Sequence, residues 1–174
     1  MQLYFIFFVV LILLFILSII LISLIFTTVF GGIPYLPSHP QRIEDMMQLA
    51  KIKEGEKTVD LGSGDGRIVI AMARKGAEAH GYELNLFYVL LSKWNIWRAG
   101  LSGKAFIHWR NFFRTNLSSY DVITCYGISY LIGRIEKKLR KEVKYSARII
   151  ATSYEFKNWK YSKKKDYAFL YKKD

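Results

Sequence analysis

The chain opens on an almost unbroken apolar run: from Leu3 to Phe30 the only polar side chains are Tyr4, Ser18, Ser23, Thr27 and Thr28, and no charge occurs. This exceeds the ~20 residues a helix needs to cross a bilayer. The run is apolar on every side, and the remaining chain is too short to enclose such a helix, so the pattern predicts a transmembrane anchor over residues 1–30. A cleaved signal peptide carries a basic start and a small-residue cleavage site. Met1-Gln2 has no Lys or Arg and Phe30 is bulky, so the segment is expected to remain attached.

At Gly31 the pattern changes. Residues 31–40 hold three prolines and two glycines, which prevent regular helix and define a linker. Ser38 and Gln41 have capping-box spacing, and Ile43, Met46, Met47 and Ala50 then recur on one helical face. Lys57 to Leu61 reads as a buried strand, followed by a glycine loop and a helix from Arg67 to Lys75 that Gly76 closes. The alternation continues with a strand over Ala77–Glu83, an amphipathic helix over Leu86–Ala99 stopped by Gly100, and a strand over Ala105–Trp109. A strand over Tyr120–Tyr126, a helix over Tyr130–Val143, a strand over Ala147–Ser153 and a last strand over Asp166–Tyr171 complete it. Elements in this order imply one α/β domain over residues 41–174, with a mostly parallel sheet and helices on both faces.

Charge adds orientation. The 26 Lys and Arg exceed the 14 Asp and Glu, for a net +12, and every one of these charges lies at or beyond Arg42. Basic residues that follow a span and do not precede it place the domain on the cytosolic side. The surplus suits an anionic partner, lipid headgroups or nucleic acid, or serves as a solvated surface. The lysines at positions 157, 160, 163–165, 172 and 173 concentrate it near the C-terminus, and the anchor favours lipid over nucleic acid. Cys125 is the single cysteine, which excludes an internal disulfide, and His39, His80 and His108 lack metal-ligand spacing, so no metal is expected.

The segment Val59-Asp60-Leu61-Gly62-Ser63-Gly64-Asp65-Gly66-Arg67 sits where a strand ends and a helix begins, the usual position of a ligand loop in α/β folds. Its glycines are spaced G-x-G-x-G, not G-x-G-x-x-G, and Asp60 precedes the first by two residues. A carboxylate there attracts an ammonium and repels a pyrophosphate, so the loop suits the amino-acid end of S-adenosylmethionine. Glu83 ends the second strand 19 positions after Gly64, where an acid can accept both ribose hydroxyls of an adenosine. Asn111, after the third strand, can hydrogen-bond the adenine edge through its amide.

Asp60 to Arg67 resembles motif I of the class I methyltransferases, and Gly81-Tyr82-Glu83-Leu84-Asn85 resembles their ribose-binding motif. More specifically, the chain resembles the membrane-anchored family of lysine methyltransferases that modify the ATP synthase c subunit and the adenine nucleotide translocase, with their bacterial relatives. The similar stretches include Pro34-Tyr35-Leu36-Pro37-Ser38, Trp97-Arg98-Ala99-Gly100-Leu101, Tyr126-Gly127-Ile128, Glu136-Lys137-Lys138-Leu139, Phe156 and Trp159. The resemblance implies a Rossmann-like fold and cofactor contacts from Asp60, Gly62, Gly64 and Glu83, and the expected cofactor-binding set also takes in Ser63, Asp65 and Gly66 of the same loop and Asn111. The resemblance further implies a substrate-side role for the loop of Tyr35, Pro37 and Ser38. The chain departs from the family at Asn111, where an acid is usual, and at Leu86 and Ser129, where proline is usual.

The expected activity is protein-lysine N-methylation of an integral or membrane-proximal protein. A lipid or isoprenoid methyltransferase and a non-catalytic cofactor-binding protein are the alternatives. A methyl group already activated by a sulfonium needs an aligned nucleophile and exclusion of water more than it needs a strong base. A lysine acceptor must first lose its proton, which a desolvated aromatic mouth favours. Tyr35, Tyr126 and Trp159 are the candidates to line that mouth, with Tyr35, Ser38 and Tyr126 forming the expected catalytic set.

Overall fold

The computed structural model describes residues 2–29, 39–126 and 130–173. The opening run forms α1 (Gln2–Val29), and no part of its Tyr4–Ile22 stretch is buried in the molecule. Residues 31–38 of the linker, Ser38 among them, lie outside the described residues, and its last residue, Pro40, already belongs to the following helix. The next helix, α2 (Pro40–Ala50), is therefore described from its cap onward: His39 Nδ1 accepts from the backbone N–H of Gln41, and Pro40 occupies the first turn, where its missing N–H costs nothing. The expected cap at Ser38 is corrected to His39.

The domain proper runs β1 (Lys57–Leu61), α3 (Arg67–Arg74), β2 (Glu78–Glu83), α4 (Leu86–Arg98), β3 (Ala105–Trp109), β4 (Val122–Tyr126), α5 (Ile132–Glu142), β5 (Arg148–Thr152), β6 (Lys163–Lys165) and β7 (Ala168–Lys172). The seven strands order as β3-β2-β1-β4-β5-β7-β6, all neighbours parallel except those of β7. Alternation divides the sheet between two cores. Val59 and Leu61 pack with Ile135 and Leu139 of α5, while Met46 of α2, Val69 and Met72 of α3 and Ile96 of α4 cover the opposite face around Val122 and Ile150.

Three expectations change. The lysine-rich segment is more than surface charge, because Lys163–Lys165 form the edge strand β6, where long charged side chains block further strand addition. Lys165 also reaches back to Asp45, a buried carboxylate of α2, at 3.1 Å. A short 3-10 turn at Phe112–Arg114 is additional to the expected elements. The third change concerns α4, expected to be amphipathic: Val89, Ser92 and Ile96 face inward, yet Leu90, Trp94 and Trp97 stand exposed on the other side. The helix is apolar on both faces.

Candidate functional site

The sheet order reverses between β1 and β4, which makes the carboxyl ends of these strands the crevice where α/β folds bind ligands. The loop after β1 is held against β2 by its own backbone. The N–H groups of Gly62 and Ser63 both donate to Tyr82 O, at 2.9 and 3.1 Å, and Gly64 N–H donates to Glu83 Oε2 at 2.9 Å. Gly62, Gly64 and Gly66 all adopt positive φ. At Gly66, the cap of α3, a Cβ would also lie 2.8 Å from Ser92 Cβ, so this glycine lets α3 and α4 meet. Gly81 answers the loop from β2, where a Cβ would lie 2.7 Å from both Ser63 and Ile107 side-chain atoms.

Asp60 occupies the centre of this arrangement. Its carboxylate is buried, and the hydroxyl of Thr124 donates to it at 2.7 Å. Burial pushes its pKa up to about 7, against the lowering effect of the Thr124 hydrogen bond and with smaller upward contributions from the Glu83 and Asp65 carboxylates. A buried carboxylate held by a neutral hydroxyl is chemically matched to a cationic ligand group. Ser63 adds a buried hydroxyl oxygen with no hydrogen-bond partner among the described residues.

Glu83 accepts three backbone N–H groups: Gly64 on Oε2, and Leu84 and Asn85 on Oε1, both at 2.7 Å. Burial nonetheless raises its pKa above the usual carboxylate range, outweighing those bonds. A carboxylate offers about four lone-pair directions, so one remains on Oε2. Glu83 is thus both a clamp on the glycine loop and an acceptor for a ligand hydroxyl, and engaging two hydroxyls requires one amide to give way.

The other expected residues divide. Asp65 forms a salt bridge with Arg67 at 2.7 Å, and its backbone carbonyl accepts from Asn95 of α4, contacts that shape the loop. Asn111 caps the 3-10 turn, its Oδ1 accepting from Phe113 N–H at 2.9 Å. Tyr126 ends β4, half-buried, at the crevice. Tyr35, Ser38 and the family stretch at positions 127–129 lie outside the described residues. Trp159 is corrected: it is buried against Phe156 and Tyr171, donates through Nε1 to Lys172 O at 2.9 Å, and belongs to the core.

Two neighbours of the crevice escape the sequence pattern. Thr124 is brought to Asp60 by the β1–β4 register, in which the two residues are Cα partners, and only knowledge of that pairing reveals it. Tyr88 stands in the first turn of α4, and its phenol pKa is raised by burial and then by the Glu83 and Asp65 carboxylates. Its place three residues after the helix cap Asn85 is the available signal.

A family model described as the ANTKMT methyltransferase domain matches residues 60–163. The human lysine N-methyltransferase of the ATP synthase c subunit is 37% identical over 127 residues, covering 73% of this chain and 54% of that protein. A protein-lysine N-methyltransferase of Saccharolobus islandicus is 31% identical over 129 residues, covering 73% of this chain and 80% of that protein. The mouse adenine nucleotide translocase lysine N-methyltransferase is 32% identical, with 73% of this chain and 56% of that protein covered. The chain spans about half the length of the mammalian relatives it matches. Among solved structures, an RNA methyltransferase of Salinibacter ruber in complex with S-adenosyl-L-homocysteine superposes with a TM-score of 0.73 at 23% identity, over 79% of this chain and 92% of that one, a likeness of fold.

Proposed function

The chain belongs to the family of the ANTKMT methyltransferase domain, and from that membership we propose that it transfers a methyl group from S-adenosylmethionine to a lysine of a membrane or membrane-proximal protein. The observation that carries this reading is the buried Asp60 carboxylate, set beside a glycine loop that Glu83 ties to β2. Asp60 would hold the ammonium of the cofactor's amino-acid end, the Gly62–Gly66 backbone would admit its close approach, Glu83 would receive a ribose hydroxyl, and Asn111 would offer its amide to adenine. When bound, the cofactor supplies a sulfonium-activated methyl group. The protein aligns the acceptor amine and excludes water. Tyr126, with Tyr35 and Ser38 from the linker, would form a desolvated mouth that favours the neutral amine by lowering its pKa.

In this reading α1 is a single-pass anchor over residues 1–30, residues 31–40 are the substrate-side linker, and residues 41–174 form a cytosolic catalytic domain. The charge-free span followed by basic residues supports the orientation. Ten linker residues at ~3.3 Å each hold the start of the domain within ~33 Å of the bilayer, which suits an acceptor presented at the membrane surface. Radiolabelled S-adenosylmethionine and the purified chain, incubated with membranes from cells lacking it, should label protein and give lysine peptides heavier by one or more methyl groups. Label in extracted lipid alone would replace this reading with lipid methylation, and no label at all would leave a non-catalytic binding protein.

Two substitutions probe the division of labour. Glu83→Ala should weaken cofactor binding by ~1–3 kcal/mol, about 5- to 150-fold, because ribose hydroxyls lose an acceptor and Gly64 N–H loses its clamp. Calorimetric titration reads this, and unchanged affinity removes Glu83 from the site. Tyr35→Ala should lower methyl transfer by about tenfold, roughly 1.4 kcal/mol, while cofactor affinity holds. Equal losses in both would place Tyr35 at the cofactor instead of the acceptor.

A further inference from the structure

We propose that the outer face of α4 lies in the interface of the bilayer that α1 crosses, giving the domain a second membrane contact beside its cleft. The inference rests on the reading of α1 as a membrane span. Leu86, Phe87, Leu90, Trp94 and Trp97 recur at helical spacing along one side of α4, and the last three are 59%, 49% and 68% exposed. Isolated exposed apolar residues are ordinary, whereas a continuous stripe of this size marks a contact surface. A helix apolar on both faces is the pattern of a helix buried on both sides, and the fold buries only one of them.

The chemistry of the stripe selects a lipid interface as the occupant. Tryptophan favours the headgroup level, where its ring is in apolar surroundings and its N–H remains wet. The charges on α4 are Lys93 and Arg98, with no acidic residue, and the Arg98 guanidinium lies 4.6 Å from the Trp94 ring centre. A groove of about 780 Å³ between α2, α3 and α4 adjoins the stripe, and its basic residues Arg67, Arg74, Lys75 and Arg98 outnumber its acids Glu44 and Asp65, leaving a positive surplus suited to anionic headgroups. Continuity points the same way. The membrane-length helix α1 meets α4, yet leaves the stripe exposed, so the bilayer around α1 is the apolar medium nearest to it. Because α4 follows β2 directly, its first turn with Leu86 and Phe87 sits beside Glu83, and a flat-lying α4 brings the mouth of the cleft to the lipid surface.

The test uses the full chain, in which the native Cys125 is buried and an introduced cysteine supplies the accessible thiol. Nitroxide labels are placed singly by Phe15→Cys in α1, Leu90→Cys and Trp97→Cys in α4, and Tyr145→Cys beyond α5. Each protein is reconstituted in vesicles of equal phosphatidylcholine and phosphatidylglycerol, and collision with oxygen is compared with collision with a water-soluble nickel chelate. Labels at positions 15, 90 and 97 should favour oxygen and the label at 145 should favour nickel. Oxygen preference at 15 with nickel preference at 90 and 97 overturns the proposal and leaves the anchor standing. Nickel preference at 15 overturns both. Spin–spin broadening between copies labelled at 90 or 97 assigns the stripe to self-association and also overturns it.

Discussion

Affinity for S-adenosylmethionine should fall about tenfold for each pH unit below about 7, and Asp60→Asn should abolish that dependence. Binding an ammonium requires Asp60 as the carboxylate, whereas the empty site keeps it protonated up to about pH 7 because burial outweighs the Thr124 hydrogen bond. The α-amino group of the cofactor titrates near ~7.7–8, so the wild-type curve should peak in a narrow range around neutrality. At that peak Asp60→Asn should cost about 3–5 kcal/mol, more than two orders of magnitude in Kd, since an ammonium is then held without its counter-charge. Stability without ligand should move the other way. The folded carboxyl has a higher pKa than the unfolded one, so the native state binds more protons between about pH 4 and 7, and stability falls as pH rises across that window. Asn carries no such charge. The variant should therefore be more stable than wild type above pH 7, by up to about 4 kcal/mol, with the difference vanishing near pH 4. Calorimetric titrations across pH read the binding, and urea unfolding of the unliganded chain reads the stability. Glu83→Gln provides the control for the other raised carboxyl, and it should retain the acid limb. A wild-type affinity that is flat between pH 6 and 7 would remove Asp60 as the ammonium partner.

The glycine loop and the strand–helix alternation are legible in the sequence because their causes are local. Gly62, Gly64 and Gly66 announce a turn that other residues resist, and β1 and β3 stand at their expected boundaries because glycine-bearing turns flank them, Gly55 and Gly62 around β1 and Gly103 before β3. What escapes depends on register. Thr124 reaches Asp60 only because β1 and β4 pair with those residues opposite one another, and the β2–β3 register brings His80 Nδ1 to 2.9 Å from His108 Nε2 on the diagonal, 28 positions away. Hydrophobicity alone also misplaces two sets of residues. Trp159 reads as a mouth residue because its aromatic type fits a lysine channel, yet β7 supplies a core that absorbs it. The triple lysine of β6 reads as surface charge alone because its pattern has no apolar member, and an edge strand needs none on its solvent side. The double-sided apolarity of α4 is present in the sequence, but which side faces the sheet is not.

Gly66→Val should destabilise the fold by ~2–5 kcal/mol and lower cofactor affinity with it. Two separate penalties combine. Gly66 has φ +82°, and a left-handed conformation costs an L-residue ~1–2 kcal/mol, more when it is β-branched. The new Cβ would then lie 2.8 Å from Ser92 Cβ and 3.4 Å from Ser92 Cα, a fully buried residue of α4 that cannot yield without separating α4 from α3. Forcing atoms into such a contact typically costs a further ~1–3 kcal/mol. Gly100 separates the two contributions. It has φ +67° and nothing within 4 Å of the position a Cβ would take, so Gly100→Val should cost only the backbone part. Adding Ser92→Gly to Gly66→Val should recover most of the packing part after allowance for the ~1 kcal/mol that a mid-helix glycine costs. Urea unfolding in non-ionic detergent supplies the stabilities of these variants and of Ser92→Gly alone, and the double-mutant cycle isolates the contact. If Gly66→Val costs no more than Gly100→Val, the close approach of α3 to α4 is not what requires glycine at position 66.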